Sequence, residues 1–238
     1  MNEKLSKEVK FLKIYSFVIT ALLLTLFYLV LQPQTNNSLE ELTVERINVV
    51  EKNGDLKLVI SNSERQHNGI INGAVLPERE RPAGLIFFNS FGDECGGLVY
   101  DGNENEAGMV LSVDKFRDDQ VMQVQYMENT KNKKRKYGLQ LWDYPQENSV
   151  EARNKRYKEI QNIQDKEAVK KAYAQMKEEG LVAENRLFLG KNFNKDVGLF
   201  INDEKGNPRI KLYIDEANTA KLEFLDEKGE PVQGGATN

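Results

Sequence analysis

Cysteine and histidine each occur once in this 238-residue chain, as Cys95 and His67. That scarcity excludes a disulfide framework, a Cys/His zinc cluster and a multi-histidine metal site, and no cofactor is indicated. GxSxG, HExxH and Walker signatures are absent as well. Basic excess is lacking: 33 Lys and Arg stand against 37 Asp and Glu, a net charge of −4, so no nucleic acid is expected as a partner. Hydrophobic residues make up only 39% of the chain, and many of them sit in one block near the start. This excludes a polytopic membrane protein and leaves a polar remainder that can bury one core.

The apolar block runs from Ile14 to Leu31, IYSFVITALLLTLFYLVL, without a charge. As a helix it would be about 27 Å long at 1.5 Å per residue, close to the roughly 30 Å hydrocarbon core of a bilayer. Lys4, Lys7, Lys10 and Lys13 precede it, while Glu40, Glu41 and Glu45 follow. The positive-inside rule then places the N-terminus in the cytoplasm and the rest outside. The following QPQTNNS has no small-x-small site, which favours an uncleaved anchor over a cleaved signal peptide; a buried helix of a soluble protein is the third alternative. Without the four lysines and without Glu3 and Glu8, 29 basic and 35 acidic residues remain in the exported part, a net of −6. The lone Cys95 is expected there as a buried thiol, with an intermolecular bridge as the other option.

Beyond the anchor, LKLVIS, GLQLWD and RIKLYID alternate apolar and polar residues: Leu56, Leu58, Ile60; Leu139, Leu141; Ile210, Leu212, Ile214. Period two predicts half-solvated antiparallel strands. The turns between strands also recur. RINVVEKNG, GLIFFNSFG, GLFINDEKG and the pair DEKGNP and DEKGEP each set an acidic or amide residue and then a glycine after a short strand, the chemistry of a hairpin with a type I turn and a glycine bulge. The fold class is mainly β, antiparallel hairpin or meander repeats, with an N-terminal transmembrane helix and a helical insertion.

That insertion lies where the period turns helical, at Val150, Tyr157, Ile160, Ala168, Val169, Ala172, Tyr173 and Met176. Asn148 with Glu151 can cap one helix, Asp165 can open a second and Gly180 can close it. One apolar stripe should pack on the sheet. The expected organisation is residues 1–13 cytoplasmic, 14–31 membrane anchor, 32–41 linker, 42–145 β-rich, 146–184 helical, 185–232 C-terminal hairpins and 233–238 a frayed tail.

The longest polar loop, Ser61 to Ala83, carries Arg65, Gln66 and His67. It reads as a solvated connection or as a small polar site. A hydrolytic site would need His67 to converge with carboxylates from Glu78, Glu80, Asp93 or Glu94. Asp93 and Glu94, however, follow the Gly92 turn, where carboxylates are common for conformational reasons. KNKKRK, Lys131 to Lys136, is expected at a hairpin tip, solvated or touching lipid headgroups or an anionic envelope polymer. Phe87, Phe88, Phe91 and Tyr100 could form a sugar-stacking ledge, although at least half of such residues belong to a core.

LKLVISNSERQHNG (Leu56 to Gly69), RPAGLIFFNSFGDECGGLVYDG (Arg81 to Gly102), DKFRDDQ (Asp114 to Gln120) and GLQLWDYP (Gly138 to Pro145) together resemble an uncharacterised family of bacterial single-pass proteins with a short anchor and a β-rich body. The resemblance implies architecture and bacterial origin and carries over no catalytic residue. It marks Asn62, Arg65, Gln66, His67, Asp93, Glu94, Asp119 and Gln120 as the polar positions inside the matching motifs. Two functional classes follow. One is a bitopic membrane protein, held by residues 14–31, that displays a β-rich binding or structural module outside the cytoplasm toward an envelope protein or polysaccharide. The other is a cell-envelope hydrolase using His67 with nearby carboxylates. A third, weaker idea makes the helical segment an assembly contact through Tyr157 and Met176.

Overall fold

A computed structural model describes residues 2–31, 39–144 and 150–232. The expected linker core (32–38), the Asn148 cap and the C-terminal tail (233–238) lie outside the described residues. Two units are distinguished, Met1–Thr43 and Val44–Asn238.

The first unit is one helix, α1 (Asn2–Leu31). Its apolar segment contains only three hydroxyl residues short of tyrosine, and two of them are satisfied inside the helix: Thr20 Oγ1 donates to the Ser16 carbonyl and Thr25 Oγ1 to the Ala21 carbonyl, each at 2.9 Å. Hydrocarbon offers no other partner, so this back-bonding suits a lipid environment. Length and composition qualify α1 as a candidate membrane span, and equally as a signal sequence.

The second unit is built on one antiparallel meander. Its strands are β1 (Arg46–Val50), β2 (Leu56–Ser61), β5 (Gly84–Phe88), β6 (Glu94–Gly102), β7 (Glu106–Asp114), β8 (Gln120–Asn129), β9 (Lys134–Asp143), β10 (Glu184–Lys191), β11 (Val197–Asn202), β12 (Pro208–Ile214) and β13 (Ala220–Phe224). They are hydrogen-bonded in that order as an eleven-stranded sheet. Between β2 and β5 the long loop forms its own small ribbon, β3 (Ile70–Ile71) with β4 (Ala74–Val75). Between β9 and β10 lie two helices, α2 (Val150–Gln161) and α3 (Lys166–Glu178).

One turn recurs along the meander. At Glu51, Asn89, Asp203 and Asp226 the residue's N–H donates to the carbonyl four positions on, and the N–H three positions on donates back to its carbonyl. The residue three on is glycine with positive φ each time: Gly54 (94°), Gly92 (81°), Gly206 (78°) and Gly229 (81°). Where the first residue is Asn or Asp, its side chain ties the loop further. Asp203 Oδ1 accepts from Lys205 N and Asn207 N, and Asp226 Oδ1 from Lys228 N and Glu230 N. The same turn appears at Asn192 and Asp215, with Lys195 (73°) and Asn218 (61°) in the glycine place.

Register then aligns the apolar positions into two continuous rows on one face. Ile47, Ile60, Leu85, Leu98, Leu111, Val124, Leu139, Leu189, Leu199, Leu212 and Leu222 stand side by side across all eleven strands. Beside them run Val49, Leu58, Phe87, Gly96, Val113, Met122, Leu141, Leu187, Ile201, Ile210 and Phe224. Alternation therefore located a genuine apolar face, but that face is not where the core forms. Apart from Gly96, no residue in either row is buried, and Leu212 is 53% exposed. The buried cluster of Val59, Ile86 and Phe88 lies on the opposite face, where Ile70 of the loop ribbon and Val99 pack against it.

The helices also depart from expectation. Asp165 caps α3, its side chain accepting from Ala168 N, and Gly180 (φ 68°) ends it with Leu181 N donating to the Met176 carbonyl. Their stripe, however, packs mainly helix against helix: Ile160, Met176 and Leu181 are buried together, with Tyr157, Val169 and Ala172 around them. Ion pairs connect this hairpin to the strands and their turns, from Arg153 to Asp118 and from Lys177 to Glu184 (3.0 Å). KNKKRK is only partly a tip, because Lys134, Arg135 and Lys136 already belong to β9 and Lys136 Nζ sits 4.7 Å from the Phe188 ring centre. Cys95 is half-buried rather than buried.

Candidate functional site

The polar loop is latched onto the sheet by Arg81 and Glu94. Arg81 Nη1 and Nη2 donate to Glu94 Oε2 (2.9 Å) and Oε1 (2.7 Å), and Nη1 also donates to the His67 carbonyl (3.0 Å). Both side chains are close to nine-tenths buried, so the pair is desolvated and strong only because its geometry is two-pronged. Next to it, buried Asp93 accepts from Gly73 N at 2.7 Å through Oδ1, and its Oδ2 has Arg117 Nε 3.6 Å away. Arg117 in turn stacks on Phe91 and Phe116, 5.0 and 5.1 Å from the ring centres.

His67 meets Phe88 edge-on at 4.7 Å, and its Nδ1 accepts from Gly69 N at 2.9 Å. Burial, followed by the nearby Arg46 charge, lowers its pKa. The ring is thus held neutral with its proton on Nε2. Gln66 braces the same loop, donating to the carbonyls of Pro82 and Gly84 and accepting from His67 N.

Gln66, His67, Asp93 and Glu94 therefore converge where the loop meets the sheet. Asn62 and Arg65 do not join them: Asn62 Oδ1 caps the loop turn at Arg65 N, and Arg65 makes an exposed pair with Glu45 at 3.2 Å. Asp119 and Gln120 lie on the β7–β8 hairpin, where Asp119 Oδ1 accepts from Gln120 N and Gln120 accepts from Gln123. Glu78 and Glu80 are exposed on the loop. The two buried carboxylates proposed to join it are already engaged, Glu94 by Arg81 and Asp93 by Gly73 and Arg117. Among the described residues no group of three or more His, Cys, Asp or Glu side chains is arranged to hold a metal ion.

Several residues here had no sequence signal. Neither Arg81 nor Asp114 stands out by motif or spacing from the charges around it. Burial, then the charges of Glu94 and Asp119, pushes Asp114 up to about 7, and its Oδ1 is buried without a hydrogen bond. The same causes, burial first and then Asp114, raise the Cys95 thiol. Of the four aromatics considered as a ledge, Phe88 is core, Phe87 lies in the apolar rows, and Phe91 and Tyr100 are exposed.

On the loop-bearing face a shallow cleft of about 410 Å³ is lined by Phe188, Phe193 and Phe200 with Gln140, Asn192 and Asn202. Its amides are largely spent inside the protein: Gln140 donates to the Leu187 carbonyl, Asn192 caps its turn, and Asn202 donates to the Asn185 carbonyl. The opposite, apolar face is the larger feature. Val49, Leu111, Val124, Leu189 and Leu222 are all exposed there. Contiguous exposed apolar areas of that extent are uncommon on monomeric domains.

Compared with protein-family models, curated proteins and solved structures, the chain matches none. Function has to be read from its own geometry.

Proposed function

We propose that the chain is a single-pass membrane protein, held by residues 14–31 with its N-terminus in the cytoplasm. Its β-rich body stands outside as a binding or structural module that works through the open face of the sheet. The observation that carries this reading is the pair of apolar rows across eleven strands, in which no residue apart from Gly96 is buried. Burying apolar area is the dominant favourable term in association, and two rows without charge offer little else. The two rows, mostly aliphatic, suit a protein partner; the stacked pair Tyr126 and Tyr137 lies at the margin of the face. The lysines before α1 and the glutamates after it support the orientation. The hydrolase alternative has less support, because the carboxylates beside His67 are bound by Arg81, Gly73 and Arg117.

The test is made on the full-length chain in native membranes. Retention through alkaline washing, with a reporter fused behind residue 238 active only outside the cytoplasm, supports the proposal. Release by alkali, or a reporter active only inside, overturns the anchoring. A water-soluble thiol reagent should fail to reach a cysteine placed at Leu139 in a Cys95→Ser background. Free labelling there overturns the role of the face.

A further inference from the structure

We infer that the open face is covered by a second copy of this chain, packed face to face as a two-layer β-sandwich. This rests on the reading above that the face is the working surface, and it names the occupant.

Area comes first. Eleven strands about 4.8 Å apart make a face roughly 50 Å wide, and two rows about 7 Å apart along the strands cover some 14 Å of it, on the order of 700 Å² per copy. A third row, Tyr100, Met109, Tyr126, Tyr137, Val197, Ile214 and Ala220, broken only by Lys191, enlarges it. Two such faces together reach the roughly 1,600 Å² of a standard stable interface.

Self-complementarity comes second. A two-fold contact presents the same patch to itself, so any charge in the patch meets its own sign. The two rows carry no Asp, Glu, Lys or Arg on any strand, and every strand offers at least one aliphatic side chain. A copy therefore meets matching surface wherever the axis falls, at the spacing of about 10 Å usual for stacked sheets. The chain's own helices do not supply the cover, since α2 and α3 spend their stripe on each other. A lipid surface would be met by a dense Lys/Arg fringe, whereas the three rows carry Lys191 alone.

The experiment uses full-length protein co-expressed with two different tags in native membranes. A photoreactive residue replaces Val124 on the central strand β8, or Met127, which lies on the opposite face and is 44% exposed. Position 124 should give a product carrying both tags and position 127 none. Adding Leu139→Asp and Leu189→Asp should abolish the product. Those positions lie on the open face of a single copy, so the variant retains its fold, checked by unchanged protease resistance. Capture of a different protein at position 124 overturns the second copy and leaves the binding-module reading standing. Loss of any product at 124, with free thiol labelling at Leu139, overturns both. Equal products at 124 and 127 indicate collision and overturn the sandwich.

Discussion

Gly206, in the turn between β11 and β12, lies directly against the carboxylate of Glu184, which Lys177 of α3 holds at 3.0 Å. The turn, the start of β10 and the helical hairpin meet at that point. A methyl group there would displace the carboxylate from its lysine. Gly206→Ala is expected to cost about 2 to 3 kcal/mol, combining left-handed backbone strain with the lost fit. Gly54→Ala, in the same kind of turn with nothing within 4 Å, should cost only the strain, about 1 kcal/mol. Chemical denaturation of the two variants side by side measures the difference, and equal losses would contradict the contact.

Lys195 occupies the left-handed position of its turn at φ 73°. Lys195→Gly should stabilise the protein by about 1 kcal/mol, because the Cβ strain it relieves exceeds the small contribution of an exposed ion pair with Glu216. Asn218→Gly should gain less, since asparagine tolerates that conformation. Melting temperatures rising in that order would bear this out.

The turns also show what a sequence can and cannot disclose. The four turns with glycine were legible as a recurring hairpin, because only that residue enters the left-handed region freely. KNFNKD and DEANTA make the same turn without it and left no mark. Strands were visible from Leu56, Leu58 and Ile60, yet alternation reports two faces without saying which is covered. Val59 proved buried and Ile60 open, because the loop carrying His67 and Ile70 folds over one side. Pairing register, which lines Leu98 up with Leu111 and Val124, depends on turn lengths that a local pattern does not encode. The same holds for the loop latch: Glu94 was singled out, and its partner thirteen residues earlier was not.

Arg81→Ala or Glu94→Ala leaves its partner's charge uncompensated in a nearly dry site, a loss of about 3 kcal/mol or more. Amide hydrogen exchange should quicken over residues 66–83 before the distant strands β11 to β13 respond. Uniform acceleration across the sheet would argue against a latch confined to the loop.

Asp114 makes stability depend on pH. Its carboxyl binds a proton more tightly in the folded chain, at about 7, than at the unfolded value of 3.8. Its contribution is therefore complete below about pH 4 and is lost as pH rises through 7, to the order of a few kcal/mol. Asp114→Asn should flatten that slope and be more stable than the parent above pH 7. Denaturation midpoints at pH 4.5, 6 and 8 decide the matter.

In the meander each strand leans on the strands that precede and follow it along the chain, apart from the excursions at β3–β4 and α2–α3. Such a body is an open-ended ruler. Trimming or duplicating a whole hairpin beyond β12 would shorten or lengthen both apolar rows in step while leaving the His67 loop where it is. The reach of the surface could then be changed without rebuilding what holds it.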